Sequence, residues 1–265
     1  MLLTFLTYCA VGAIAGILAG LLGIGGGLVI VPMLVYVFAV NHIPQELTMH
    51  VALATSMASI MFTSVSSFMA HHRRGAVRWD VVKKIVIGIL AGTFLGSFVA
   101  SAMSTNFLKV FFVVFLYFVA TQLLLNKKPQ GGRDLPGKAG MFAAGNIIGV
   151  VSSLVGIGGG TLSVPFMLWC NIKVHNAVGT SAAIGLPIAI AGTVGYIVNG
   201  WNVAGLPAYS VGYVYLPALL GIAAVSVLTA PLGVKLAHSL PVDRLKRIFS
   251  LLLYVVATKM LLGIL

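Results

Sequence analysis

The sequence predicts an all-α polytopic membrane protein built from two inverted repeats, each a glycine-broken helical hairpin followed by three transmembrane helices. Three observations predict it: charge is scarce, a long phrase occurs twice, and basic residues are confined to a few loops. Of 265 residues, 60% are hydrophobic and 8% charged, with a mean hydropathy of +1.09. Soluble domains carry about 25% charged residues. So little charge cannot clothe a globule in water, and several apolar runs reach the ~20 residues that cross ~30 Å of hydrocarbon.

The first apolar run, over 2–22, lacks a basic stretch ahead of it and is too long for a signal-peptide core, so it reads as a membrane segment. Further runs cover 28–40, 48–70, 85–103 and 107–125. After the polar stretch NKKPQGGRDLPGK at 126–138, five more cover 139–155, 161–170, 177–199, 213–236 and 246–264. The two sets share landmarks. LLGIGGGLVIVP at 21–32 returns as LVGIGGGTLSVP at 154–165, HVALATS at 50–56 as HNAVGTS at 175–181, and LKVFFVVFLYFVAT at 108–121 as LKRIFSLLLYVVAT at 245–258. Three pairs in the same order mark an internal duplication. The chain divides into a first membrane repeat over 1–125, a cytoplasmic linker over 126–138 and a second membrane repeat over 139–265.

Loop charge orients the copies. The net charge of +12 sets 16 Lys and Arg against Glu46, Asp80, Asp134 and Asp243. The basic residues gather in 71–84, 126–138 and 235–247, which the positive-inside rule assigns to the cytoplasm. The uncharged 200–212 then faces out, as do both termini. This placement accounts for the basic balance without nucleic acid, since such residues beside spans set topology and meet anionic lipid. Crossing arithmetic makes 1–40 a hairpin entered from outside and 139–170 one entered from inside. Each half is then an odd unit, and the copies are inverted. Both fully spanning and re-entrant hairpins fit. Lys109, Lys235 and Lys259 lie near segment ends, where lysine snorkels. Trp79, Trp169 and Trp201 also flank segments, as an aromatic belt does.

The glycine phrases carry the strongest functional signal. Inverted repeats with interrupted helices are the signature of secondary transporters, whose sites form where broken helices meet. Consecutive glycines turn a hairpin sharply and aim backbone N–H groups at one point, and helix N-termini favour anions. Gly23, Gly25, Gly26 and Gly27, with Gly156, Gly158, Gly159 and Gly160, are therefore candidate substrate-binding residues. Gly12, Gly16 and Gly20 fit close helix packing instead. No Lys-Ser/Thr follows either phrase, which excludes a P-loop.

Thr55, Ser56, Thr180 and Ser181, in the second repeated motif, supply hydroxyls that bind an ion without burying a charge. Interhelical packing is the competing reading, and it suffices for Ser59, Thr63, Ser66 and Ser67. His50 and His175 begin helices on opposite faces, either as gates or proton carriers or as interfacial anchors. His42, His71, His72 and His238 read as loop residues. No Asp or Glu lies mid-span, and Cys9 and Cys170 lack a CxxC partner. No catalytic constellation, metal cluster or cofactor site is therefore expected.

The duplicated GIGGGxxxVP phrase, the downstream ATS and GTS, and the lengths of the halves resemble the sulfite exporter TauE/SafE family of bacterial membrane permeases. The resemblance covers essentially the whole chain. It implies transport of small sulfur-containing anions such as sulfite, sulfoacetate or other organosulfonates across the cytoplasmic membrane, with Pro32 and Pro165 as structural followers of the glycines. The expected partners are a small anionic substrate, a coupling proton or sodium ion, and the lipid bilayer. The alternative is a cation-coupled carrier or channel for a different small solute. The oligomeric state is not legible in the sequence.

Overall fold

Ten helices and a two-stranded ribbon make up the computed structural model, which describes residues 2–22, 26–41, 43–125, 132, 134–239 and 242–263. The helices are α1 (Leu2–Leu22), α2 (Gly27–Val40), α3 (Thr48–His72), α4 (Trp79–Ala102), α5 (Thr105–Leu125), α6 (Lys138–Val155), α7 (Gly160–Trp169), α8 (Val174–Gly200), α9 (Leu216–Ser239) and α10 (Val242–Leu262). Strands β1 (Ser210–Val211) and β2 (Val214–Tyr215) precede α9. Among the described residues seven helices are long and apolar enough to span a membrane: α1, α3, α4, α5, α6, α8 and α9. The chain is thus an all-α polytopic membrane protein. At 1.5 Å per residue, α2 and α7 extend only about 21 and 15 Å, so neither return arm of a hairpin crosses ~30 Å of hydrocarbon alone.

Three sequence expectations are corrected. The span expected from residue 85 begins at Trp79, with Asp80 in its first turn, where a carboxylate suits the helix dipole. His71 and His72 belong to α3, so the basic loop over 71–84 shrinks to 73–78. The span expected from residue 213 starts at Leu216, because β1 and β2 pair antiparallel with Val211 opposite Val214. Gly212, at φ 54, is the first central residue of that turn, a position where two-residue hairpins favour glycine.

Packing exchanges the halves. Helix α1 lies on α9 and α4 on α6, and the two contacts are equivalent under the duplication. Both use glycines. A Cβ at Gly12, Gly16 or Gly20 would meet the backbone of Ile222, Ser226 or Ala230, and one at Gly88, Gly92 or Gly96 that of Phe142, Asn146 or Val150. These stripes let parallel helices approach to backbone contact.

The centre is α3 against α8, the two most buried spans. A Cβ at Gly185 would lie 2.9 Å from Ser64 Oγ, and one at Gly192 would lie 3.2 Å from Met57 Sδ, so α3 and α8 run antiparallel. At the periphery Tyr117 bonds Thr258 at 2.8 Å and Thr121 bonds Tyr254 at 2.6 Å, so α5 and α10 are antiparallel too.

Candidate functional site

Helices α2 and α7 start from the same backbone device. Gly26 (φ 76, ψ −11) and Gly159 (φ 75, ψ −12) cap them in the left-handed region, and Gly156 (φ 69) closes α6. Each capping carbonyl accepts two N–H groups: those of Val29 and Ile30 at Gly26, and of Leu162 and Ser163 at Gly159. The N–H groups ahead of them in the first turn have no acceptor within the helix. Pro32 and Pro165 lack an N–H, which frees the carbonyls of Leu28 and Thr161 one turn earlier. Gly23 and Gly25 lie outside the described residues.

The two phrases meet. A Cβ on Gly27 would overlap the Gly156 carbonyl and lie 2.9 Å from Ile157 Cα. Ser56 Oγ donates to that same carbonyl at 2.7 Å, tying α3 to the second hairpin. Gly158 and Ser181 line one crevice with Ser64, Ser67 and Gly185, too narrow to hold a water molecule. The buried Ser67 hydroxyl has no hydrogen-bond partner among the described residues.

Thr55 and Thr180 do not join this cluster. Given the register of α3 on α8, they stand roughly 14 residues apart along the bundle, about 21 Å. Each is a docking point for the other half. Thr180 Oγ accepts the N–H of Arg78 at 2.9 Å, and Thr55 Oγ accepts the N–H of Tyr215 at 3.0 Å. Arg78 and Tyr215 both stand directly before the fourth helix of their repeat, α4 and α9. Burial raises the phenols of Tyr213 and Tyr215 above the ordinary tyrosine value, so this ribbon stays neutral.

The histidine pair is asymmetric. His50 is buried, with Nε2 3.1 Å from the Met103 carbonyl and its ring stacked on Tyr213 at 5.3 Å, whereas His175 is exposed. His71 corrects the sequence reading: it is buried within α3, with Nε2 3.1 Å from the Gly20 carbonyl. At the equivalent place in the second half, Tyr196 donates its hydroxyl to the Ser153 carbonyl at 2.8 Å. The signal was present, since His71 follows His50 by 21 positions and Tyr196 follows His175 by 21. His42, and the side chain of His238, lie outside the described residues.

Residues 8–260 match the family model described as "Sulfite exporter TauE/SafE". The chain belongs to this family. A relative from Haemophilus influenzae, described as a probable membrane transporter protein, is 41% identical over 261 residues, covering 98% of this chain and 99% of the relative. One from Methanocaldococcus jannaschii with the same description is 30% identical over 256 residues, covering 95% and 93%. A third, YunE of Bacillus subtilis, is 30% identical over 218 residues, covering 75% and 80%. No solved structure matches.

In this TauE/SafE transporter the two hairpins differ in polarity. Ser152, Thr161 and Ser163, all buried around the second glycine turn, have hydroxyls without partners among the described residues. Ala19, Leu28 and Ile30 occupy the matching places in the first hairpin. Sequence reading missed these three hydroxyls, Ser64 and Gly185. The hydroxyls become visible when the copies are compared residue by residue instead of by shared motif.

Proposed function

We propose that this protein is a secondary transporter that moves a small sulfur-containing anion, such as sulfite, sulfoacetate or another organosulfonate, across the cytoplasmic membrane by alternating access between two inverted halves. The observation that carries the reading is the meeting of Gly27 with Gly156 and Ile157 between antiparallel α3 and α8. Broken helices that converge in this way build transporter sites. An oxyanion suits the donors, which are first-turn N–H groups of α7 and the hydroxyls of Ser152, Thr161 and Ser163.

The antiparallel pairs α3–α8 and α5–α10 support inverted copies over 1–125 and 139–265, joined by a cytoplasmic linker. The loop charges support outward termini in the inner membrane. The hydrogen bonds at Thr180 and Thr55 then close the inner and outer ends, and transport alternately releases them. His50 is a gate residue at the outer end, and a proton or sodium ion supplies the coupling.

A second reading, a cation-coupled carrier or channel for a different small solute, draws on the carbonyls that Pro32 and Pro165 release. Uptake of labelled sulfite, sulfoacetate and thiosulfate into proteoliposomes, with imposed proton or sodium gradients, separates the two. Accumulation of a sulfur oxyanion above the empty-liposome level supports the proposal. Flux of sodium with no uptake of any of these anions favours the second reading.

A further inference from the structure

A cavity of about 830 Å³ opens between α2, α5 and α10, away from the glycine tips. Its polar groups are Lys109, Lys259, Gln45, Thr48 and Tyr36, and the rest of its wall is the apolar surface of α2 and α10, including Val35 and Met260. Among the described residues no carboxylate lines it, and neither lysine forms an ion pair with them. Lys259 Nζ lies 5.8 Å from the ring centroid of Tyr36. Two like charges on one wall repel unless an anion lies between them. In the other repeat Gln122 stands at the place of Lys259 and Lys246 at that of Lys109, so the duplication repeats only one of the two lysines.

We propose that this cavity binds one anionic glycerophospholipid, its phosphate held by Lys109 and Lys259 and its acyl chain along α2 and α10. The volume far exceeds what a small oxyanion fills, and the wall carries both basic and apolar side chains, as an amphiphile requires. Helices α5 and α10 are peripheral, and Val110, Val255 and Leu262 stand exposed on them, so lipid reaches the opening from the bilayer. A basic pocket between membrane helices recognises anionic headgroups by this chemistry.

The test is titration of the full-length protein in neutral detergent with dioleoylphosphatidylglycerol, dioleoylphosphatidylcholine or inorganic phosphate, read by native mass spectrometry and by the unfolding temperature. One saturable phosphatidylglycerol is expected, with a raised unfolding temperature that phosphatidylcholine and phosphate do not reproduce. Lys109→Gln/Lys259→Gln should weaken that binding about 30-fold, at ~1 kcal/mol per lysine near an anionic lipid. Lys109→Arg/Lys259→Arg should retain it. Equal binding of the two lipids by the wild-type protein overturns the proposal, as does an unchanged affinity in the glutamine variant. Protection by phosphate equal to that by phosphatidylglycerol overturns it too, since the site would then serve a small anion.

Discussion

Valine at Thr180 keeps the shape of the side chain and removes the acceptor for Arg78 N–H, now 2.9 Å away. The same change at Thr55 strands Tyr215 N–H, 3.0 Å away. An unsatisfied buried donor costs about 1–3 kcal/mol, and both amides are only part-buried, so about 1–1.5 kcal/mol applies. That is about a 5–10-fold change in the ratio of open to closed at the affected end. The two substitutions act at opposite ends, so they shift the equilibrium in opposite senses. Ala182 lines the crevice beside Ser181, on the Thr180 side of the tips. With Cys9 and Cys170 replaced by alanine, Ala182→Cys becomes the reporter for a membrane-impermeant maleimide added from the cytoplasmic side. Thr180→Val should raise its alkylation rate about 5–10-fold, and Thr55→Val should lower it. A change in the same direction for both, or in neither, refutes the reasoning that these hydrogen bonds close opposite ends.

Four further substitutions test the hairpin junction and the paired hydrogen bonds of His71 and Tyr196. Gly27 has no positive φ, so Gly27→Val is costly only through its contact with Gly156 and Ile157. Overpacking of about 1–3 kcal/mol should abolish uptake while the protein remains helical and membrane-inserted. Gly137→Ala, with nothing within 4 Å, should leave uptake unchanged. His71→Tyr should keep at least half of wild-type uptake, because Tyr196 makes the equivalent hydrogen bond in the other half. Tyr196→Phe, which leaves the buried Ser153 carbonyl without that donor, should lower stability by about 1–3 kcal/mol in denaturant unfolding.

Much of the architecture was legible because it is written twice. The GIGGG phrases located both helix breaks, and Gly26 and Gly159 adopt nearly identical backbone angles. Boundaries failed where charge or small polar residues lie inside helices. Asp80, Lys83 and Lys84 read as loop, yet a helix entering a membrane tolerates them in its first turns, with lysine stems along the apolar surface. His71 was masked by the following HRR, although its partner is the Gly20 carbonyl of α1, which no local pattern can reveal. The ribbon at 210–215 was hidden for a related reason: its sequence SVGYVY merges into the apolar run of α9.

The structure brings some of the candidate residues together and separates others. Ser56, Gly27 and Gly156 lie at the junction of the hairpins, while Thr55 and Thr180 hold the backbone of the opposite half. A repeated motif signals a repeated environment, and here half of that environment is structural. The hydroxyls that distinguish the second hairpin are by nature unrepeated, so a search for repetition passes over Ser152, Thr161 and Ser163.

The central claim is a carrier whose anion site is exposed to one side at a time. Its most direct test is sulfite counterflow in proteoliposomes. Vesicles preloaded with unlabelled sulfite should take up external labelled sulfite faster than unloaded vesicles, and should transiently concentrate the label. Labelled entry that is indifferent to sulfite on the far side would contradict the account, because a continuous pore gives that result and an alternating carrier does not.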